Sequence, residues 1–420
     1  MSSSTAPATT SDSSDLFETP ILDSEFSALL HAISEHGGYA FVSMATLATL
    51  GDFRAAEAAR EMAWEQLHSG PRHSVLPVWR DAYSMACLHV AKHHYSSGDF
   101  KEALRALDMG LIMGGSLLKN DLSSAVGRVS ERVRNIRASG ESHEGFGKSE
   151  QRLLDHELNQ AEVYKLLPLN SLSHKIVEKR SALSLERFLE DYYRSGSPVI
   201  ISDCMAHWPA KTKWNDIDYL KRIAGDRTIP VEVGKNHLCA QWKKELITFS
   251  EFLQRIESHG CSSVGPTYLA QHPLFDQLQI NELRKDICIP DYCFAGEGEL
   301  RCLNAWFGPA GIVTPLHHDP HHHILAQVVG KKYVRLYSAS LSKELYPYIK
   351  TTLTNSSQID PDSIDEKMFP GVQDLEFVDC ILEEGELLYI PQKWWHYVRS
   401  LTTSFSVSFR WSKSEGSATS

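Results

Sequence analysis

Several protein classes are ruled out by what this sequence does not contain. No apolar run approaches the ~20 residues that a membrane-spanning helix needs, so no such helix is expected. There is no Cys-x-x-Cys: the eight cysteines (87, 204, 239, 261, 288, 293, 302 and 380) are scattered. Neither a zinc knuckle nor a disulfide framework is suggested, and a reducing compartment, cytosol or nucleus, fits. No run rich in Lys and Arg is present, and the net charge of −11 argues against sequence-independent binding to nucleic acid. That charge is compatible with a basic protein substrate. Residues 1–15 contain no Lys or Arg and no apolar core, so neither a signal peptide nor a transit peptide is expected there. Residues 1–20 read as a disordered leader and 413–420 as a disordered tail. What remains is an ordinary globular composition, 42% hydrophobic and 23% charged over 420 residues, long enough for two or three domains.

From about Leu22 to Arg137 apolar residues recur at helical spacing, as in Phe26, Leu29, Leu30, Ile33 and in Leu104, Leu107, Leu111. Two stretches resemble each other, Gly51-Asp-Phe-Arg-Ala-Ala and Gly98-Asp-Phe-Lys-Glu-Ala, 47 residues apart. Gly suits a helix C-cap and Asp an N-cap, and the alanines permit close helix approach. The second stretch resembles the turn between the helices of a tetratricopeptide repeat, but the offset exceeds the ~34 residues of that repeat. Residues 21–138 therefore read as an all-helical domain with repeat-like hairpins, either a platform for a protein partner or a scaffold. Trp79, His89, His93 and His94 read as packing and surface residues rather than metal ligands.

Residues 139–165 read as a linker and a charged helix, and 166–412 as a second domain. The second domain opens with an amphipathic helix, Leu185–Tyr193. Later it becomes dense in short strands: Leu303–Phe307, Gly311–Leu316, Ile324–Val329, Lys332–Tyr337, Phe377–Leu382, Glu386–Ile390, His396–Arg399 and Phe405–Trp411. Eight strands with Gly and Pro between them suit a double-stranded β-helix, the jelly-roll or cupin barrel. The fold class is α+β.

The stretch from Thr314 to His323 holds five histidines and one aspartate. On a strand, His317 and Asp319 share a face. His396, 77 residues after Asp319, lies late in the barrel, where a jelly roll sets an early and a late strand side by side. Together these three form a two-histidine, one-carboxylate set of the kind that holds iron(II) with positions open. Trp394, Trp395 and Tyr397 would make the surroundings apolar. A dicarboxylate such as 2-oxoglutarate needs a counter-charge, and Lys332 is the candidate, with Lys331 facing away by alternation. Thr314 and Tyr268 are candidate hydroxyl partners. His318, His321 and His322 read as loop histidines without metal contact.

Four motifs then point to a family. Asn304-Ala-Trp-Phe-Gly-Pro, Thr314-Pro-Leu-His-x-Asp-Pro, Gln327-Val-Val-Gly-Lys-Lys-Tyr-Val-Arg-Leu-Tyr337 and Ile390-Pro-x-x-Trp-Trp-His-Tyr-Val-Arg399 closely resemble the JmjC-domain dioxygenases, over about Leu183 to Ser412. With the helical part, the chain resembles the small JmjC proteins described as lysine demethylases and arginyl hydroxylases, most of all their plant, circadian-clock-linked member. The resemblance implies an Fe(II)- and 2-oxoglutarate-dependent oxidation of a basic protein side chain, using O2. The foremost expectation is a histone lysine demethylase, nuclear and also cytoplasmic, acting in chromatin, transcription and clock regulation. The alternatives are an arginyl or other side-chain hydroxylase, or a partner-binding protein with a weak barrel. No direct nucleic-acid contact is expected.

By the same resemblance His317, Asp319 and His396 bind iron. Lys332, Thr314 and Tyr268 hold the distal carboxylate of 2-oxoglutarate, and Trp306, Gln271 and Glu232 line the substrate pocket. Two departures stand out. His323 occupies a position, near the metal-side end of 2-oxoglutarate, where the family often has Asn. Arg410 stands where the family's Phe-Trp-Trp-Ser has an aromatic residue, and a change in substrate-side packing is expected there.

Overall fold

Both Gly-Asp-Phe stretches form helix-to-helix turns. Gly51 and Gly98 adopt φ of 88° and 78°, which glycine reaches without strain. Asp52 and Asp99 then cap the following helices, accepting the backbone N–H of Ala55 and of Glu102. The computed structural model describes residues 17–71, 74–140, 160–168, 170–172, 175–234, 236, 238, 241–258, 265–275, 280–349 and 353–413. Most of the expected leader, linker and tail falls outside the described residues. Contacts divide the chain into two units, Met1–Gly147 with Asp226–Thr228, and Lys148–Gly225 with Ile229–Ser420.

Among the described residues the first unit is built of six helices: α1 (Pro20–Glu35), α2 (Tyr39–Thr49), α3 (Phe53–Leu67), α4 (Pro77–Ser96), α5 (Phe100–Met113) and α6 (Lys119–Gly140). α4 is buried on most of its circumference, from Ala82 through Leu88 and again at Val90, Ala91 and Tyr95. It therefore serves as the central helix on which α3 and α5 pack. The alanines do what their size suggests: Ala55, Ala56, Ala59 and Ala63 of α3 and Ala103 and Ala106 of α5 are buried. Asp121 of α6 accepts the N–H of Leu22 at 2.7 Å, satisfying a donor in the first turn of α1. Trp79 packs edge-on against Phe41, and His93 stacks on Phe53 at 4.1 Å, so both are packing residues.

The second unit carries fourteen strands among the described residues: β1 (Lys175–Ile176), β2 (Lys179–Ser181), β3 (Val199–Ser202), β4 (Thr228–Val233), β5 (Lys243–Thr248), β6 (Thr267–His272), β7 (Gly298–Gly308), β8 (Val313–His318), β9 (His322–Val329), β10 (Lys332–Tyr337), β11 (Val378–Leu382), β12 (Glu386–Ile390), β13 (Trp395–Ser400) and β14 (Ser404–Lys413). They form a five-stranded sheet, in the order β1-β11-β10-β13-β8, and a nine-stranded sheet, in the order β2-β3-β12-β9-β14-β7-β6-β4-β5. Val334 and Leu336 from the first and Leu325 and Leu388 from the second share one buried cluster, which fills the space between the sheets. Tyr333, Tyr337, Trp395 and Tyr397 belong to another cluster with Leu345, Ile359 and Val372, on the outer face of the five-stranded sheet.

The eight expected barrel strands are all present, Lys332–Tyr337 and Glu386–Ile390 with the expected ends and the other six with shifted ones. β7 is longer than expected, and β8 runs Val313–His318, so Asp319 lies just past its end. The expected helix Leu185–Tyr193 is a single α-turn, Leu185–Arg187, followed by a π-helical turn, Phe188–Tyr193. The wider turn keeps both Phe188 and Tyr192 buried, and the N–H of Arg194 reaches back five residues to the carbonyl of Leu189. The six described cysteines are free. No helix among the described residues is long and apolar enough to cross a membrane.

Candidate active site

His317 on β8 and His396 on β13 are direct cross-strand partners, with ring centroids 4.1 Å apart. Each ring donates Nδ1–H to the carbonyl two residues earlier in its own strand, His317 to Pro315 at 2.8 Å and His396 to Trp394 at 3.1 Å. With the proton fixed on Nδ1, the lone pair sits on Nε2 and faces the interior. Asp319 continues the phase of β8 by two residues, and its backbone carbonyl is held by the N–H of Lys393 at 2.9 Å. Ligand atoms of His317, Asp319 and His396 all lie within 4.8 Å of one another. Among the described residues this is the one such cluster of His, Cys, Asp or Glu side chains. Two imidazole Nε2 atoms and a carboxylate oxygen without a hydrogen bond, Asp319 Oδ2, make a donor set that fits a divalent metal ion.

Burial opposes ionisation of Asp319, but the surrounding imidazoles and Arg410 outweigh it and hold its carboxyl well below the usual carboxylate range. His396 is itself pushed down to about 3 by burial. The Nε of Arg410 lies 2.8 Å from Asp319 Oδ2.

His317 and His396 of the triad line a pocket walled by Leu325, Ile390 and Val398. Lys332 also lines it. It enters from β10, between β11 and β13, in phase with inward Val334 and Leu336. Its ammonium is buried and has no acidic partner among the described residues, and desolvation lowers its pKa to about 7. Lys331 faces out and pairs with Glu383 at 2.9 Å, as alternation requires. Thr314 and Tyr268 line the same pocket and are hydrogen-bonded to each other; burial pushes the Tyr268 phenol above its ordinary value.

Thr314 and His317 are three residues apart, yet both face inward. The pairing of β8 with β13 slips between His396 and Val398, which face His317 and Thr314. The resulting bulge at Pro315–Leu316 resets the alternation, a device strands use to re-aim a side chain. This was not readable from spacing alone. Of the expected apolar shield, Trp394 packs against the cluster between the sheets, but Trp395 and Tyr397 are not at the triad. Trp395 and Tyr397 alternate with His396 and so point to the outer face, where Trp395 bonds Ser342 and Tyr397 bonds Asp362. His318 and His322 are not loop residues: His318 packs on Trp395, and His322 accepts or donates to Tyr389 at 2.9 Å at the start of β9.

A second cavity shares Tyr268, Trp306, Thr314 and His317 with the first and extends to Glu232 and Gln271. Glu232 pairs with Tyr268 across β4 and β6, and Gln271 sits at an irregularity of β6 with φ of 44°. Trp306 stands at the junction, its Nε1 donating to Ser408 at 2.9 Å. Glu232 and Gln271 thus belong to the outer cavity only.

His323 is buried, lines the inner pocket, and has Nδ1 3.8 Å from Asp319 Oδ2; neither ring nitrogen has a hydrogen-bond partner. Burial pushes its pKa well below the ordinary value. Arg410 lies directly opposite it, β14 against β9. The guanidinium of Arg410 is at the Asp319 end of the inner pocket, and it also lies 5.9 Å from the ring centroid of Trp306. The signal was present in β14, where Phe405, Val407, Phe409 and Trp411 alternate with Ser406, Ser408 and Arg410. Period two puts Arg410 on the face of Ser408, toward Trp306.

Two family models match the chain. Residues 19–144 match one described as KDM8-like, N-terminal ARM repeats, and residues 185–417 match a cupin-like domain. The 47-residue offset of the Gly-Asp-Phe stretches falls in the ~40–47 residue period of armadillo and HEAT repeats, which replaces the tetratricopeptide likeness. Lysine-specific demethylase JMJ30 of Arabidopsis thaliana is 62% identical over 98% of this chain and 99% of its own length. Lysine-specific demethylase 8 of Danio rerio is 40% identical over 84% of this chain and 86% of its own length. Jumonji C domain-containing protein 5 of Drosophila melanogaster is 34% identical, over 83% and 84%. With a barrel of this topology, a helical N-terminal unit of this type and relatives matched almost end to end, the chain belongs to the JmjC family of cupin-fold, 2-oxoglutarate-dependent dioxygenases, in the branch that carries KDM8-like ARM repeats ahead of the barrel.

Proposed function

We propose that this enzyme is an Fe(II)- and 2-oxoglutarate-dependent histone lysine demethylase acting in the nucleus. The observation that carries the reading is the pairing, in one pocket, of the triad at one end with a buried, uncompensated lysine at the other. His317, Asp319 and His396 hold the iron. Lys332 neutralises the distal carboxylate of 2-oxoglutarate, with the hydroxyls of Tyr268 and Thr314 as its hydrogen-bond partners. Leu325, Ile390 and Val398 keep water from the reacting atoms. When bound, iron supplies oxygen activation coupled to oxidative decarboxylation of 2-oxoglutarate to succinate and carbon dioxide. Trp306 walls the junction through which a substrate side chain reaches the triad, and Glu232 in the outer cavity attracts its cationic nitrogen. A hydroxylated N-methyl carbon then collapses to formaldehyde and the demethylated lysine. The names of the relatives from Arabidopsis and Danio support lysine as the target residue.

The test compares wild type with His317→Ala on methylated and unmethylated histone and ribosomal-type peptides, by succinate formation and product mass. Succinate above the His317→Ala background with loss of a methylene supports demethylation. A gain of one oxygen would replace demethylation by hydroxylation, and equal background succinate in both proteins would overturn the enzyme reading.

A further inference from the structure

The Asp319 end of the inner pocket already contains a cation. Arg410 is buried on β14, and its Nε lies 2.8 Å from Oδ2 of Asp319, one of the three clustered side chains. The contact is ionic rather than a formed hydrogen bond, since neither Nε nor Oδ2 completes one. The residue facing Arg410 in register is His323, which carries no negative charge in either protonation state. Asp319 is therefore the carboxylate that answers this guanidinium among the described residues, and Trp306 offers only its ring face, 5.9 Å away. Arginine does not shed its proton in proteins, so its charge cannot be relieved by titration.

We propose that Arg410 is a built-in competitor for the metal: in the metal-free protein its guanidinium holds Asp319, and a divalent cation gains that carboxylate only by displacing it. The proposal rests on His317, Asp319 and His396 being the metal ligands. Two like charges cannot share one buried carboxylate at hydrogen-bond distance without mutual repulsion in a low-dielectric interior. A guanidinium bound off the hydrogen-bond direction is held less firmly than a bidentate pair, so displacement remains feasible. The consequence is a site with weaker metal affinity than its three ligands alone would give. Emptied of metal, it does not leave a bare buried carboxylate.

The experiment uses the full-length, metal-stripped protein and cobalt(II) as the probe, read by calorimetric titration and by the cobalt-induced shift in Tm. Arg410→Met is expected to lower the cobalt dissociation constant by about tenfold or more, within the range by which groups behind metal ligands alter affinity. The same variant is expected to lower the Tm of the metal-free protein, because Asp319 loses its counter-charge, and to enlarge the cobalt-induced Tm shift. Should Arg410→Met not fold, Arg410→Gln keeps a donor while removing the charge, and the same tightening is expected. Unchanged or weaker cobalt binding in the folded variant, with binding still abolished by His317→Ala, would overturn the competition and leave the triad standing. Cobalt binding that His317→Ala does not affect would instead overturn the triad itself.

Discussion

The two ends of the inner pocket handle charge in opposite ways. At the triad end the imidazoles of His317 and His396 are answered by strand carbonyls and Asp319 by Arg410, while both ring nitrogens of the neighbouring His323 have no hydrogen-bond partner. At the Lys332 end a buried ammonium faces hydroxyls and apolar walls with no carboxylate among the described residues. Burying an unpaired charge costs stability, and a fold keeps such a group where a ligand will complete it. The contrast distinguishes a place made ready for a cation from one made ready for an anion.

The strongest way to break this contrast is at the triad. His317→Ala or His396→Ala is expected to abolish 2-oxoglutarate turnover while leaving 2-oxoglutarate contacts at the Lys332 end intact, checked by succinate assay beside ligand-detected NMR. Next comes Lys332→Met. Truncating one partner of a buried charge pair costs about 2–5 kcal/mol, so 2-oxoglutarate affinity should fall by roughly 30-fold to several thousand-fold. The unliganded protein should melt at a higher temperature, because an unpaired buried ammonium has been removed. A fall in both affinity and Tm would show that Lys332 has a partner in the free protein.

The pH dependence is a smaller and more specific effect. Lys332 titrates near 7 in the free protein, below its ordinary value, because burial disfavours its charged form. A bound dianion favours that form and raises the value. Affinity due to Lys332 is therefore full below pH 7 and declines above it, by up to about tenfold per unit. The linked folding term has its own sign: the cost of protonating Lys332 in the fold is complete below pH 7 and shrinks as pH rises toward the lysine value of the unfolded chain, about 10.4. Isothermal titrations from pH 6 to 9 on wild type and Lys332→Met check the first, and a slope common to both proteins would remove Lys332 as its source. The smallest effect is expected from Tyr268→Phe. Loss of one hydrogen bond worth about 1 kcal/mol weakens 2-oxoglutarate roughly fivefold.

How much of this was readable in the chain depends on how local the deciding contact is. The Gly-Asp turns of the helical unit are set within four residues, so Gly98 and Asp99 announced themselves. The alternation of Lys331 and Lys332 is equally local, and it distinguished the outward from the inward lysine. The partnership of His317 with His396 was inferred from barrel order and is realised as a direct strand pair. Thr314 required a bulge that only the register of β8 against β13 creates. The same alternation that aims His396 inward aims Trp395 and Tyr397 outward, and the expectation of an aromatic shield overlooked it. Arg410 meets Asp319 through the pairing of β14 with β9, strands far apart in sequence, so no local pattern reports that contact.

The imidazoles of His317 and His396, the proposed metal ligands, are each steadied by a carbonyl of their own strand, two residues back. A carbonyl is supplied by every amino acid, so the aim of these rings does not depend on which side chains surround them. Histidine in place of asparagine at 323, and arginine in place of an aromatic ring at 410, leave both anchors untouched. The side chains that wall this chamber can therefore differ, and with them its affinities, while these two rings keep their direction. The direction of the two imidazoles is written in the backbone rather than in the side chains around them.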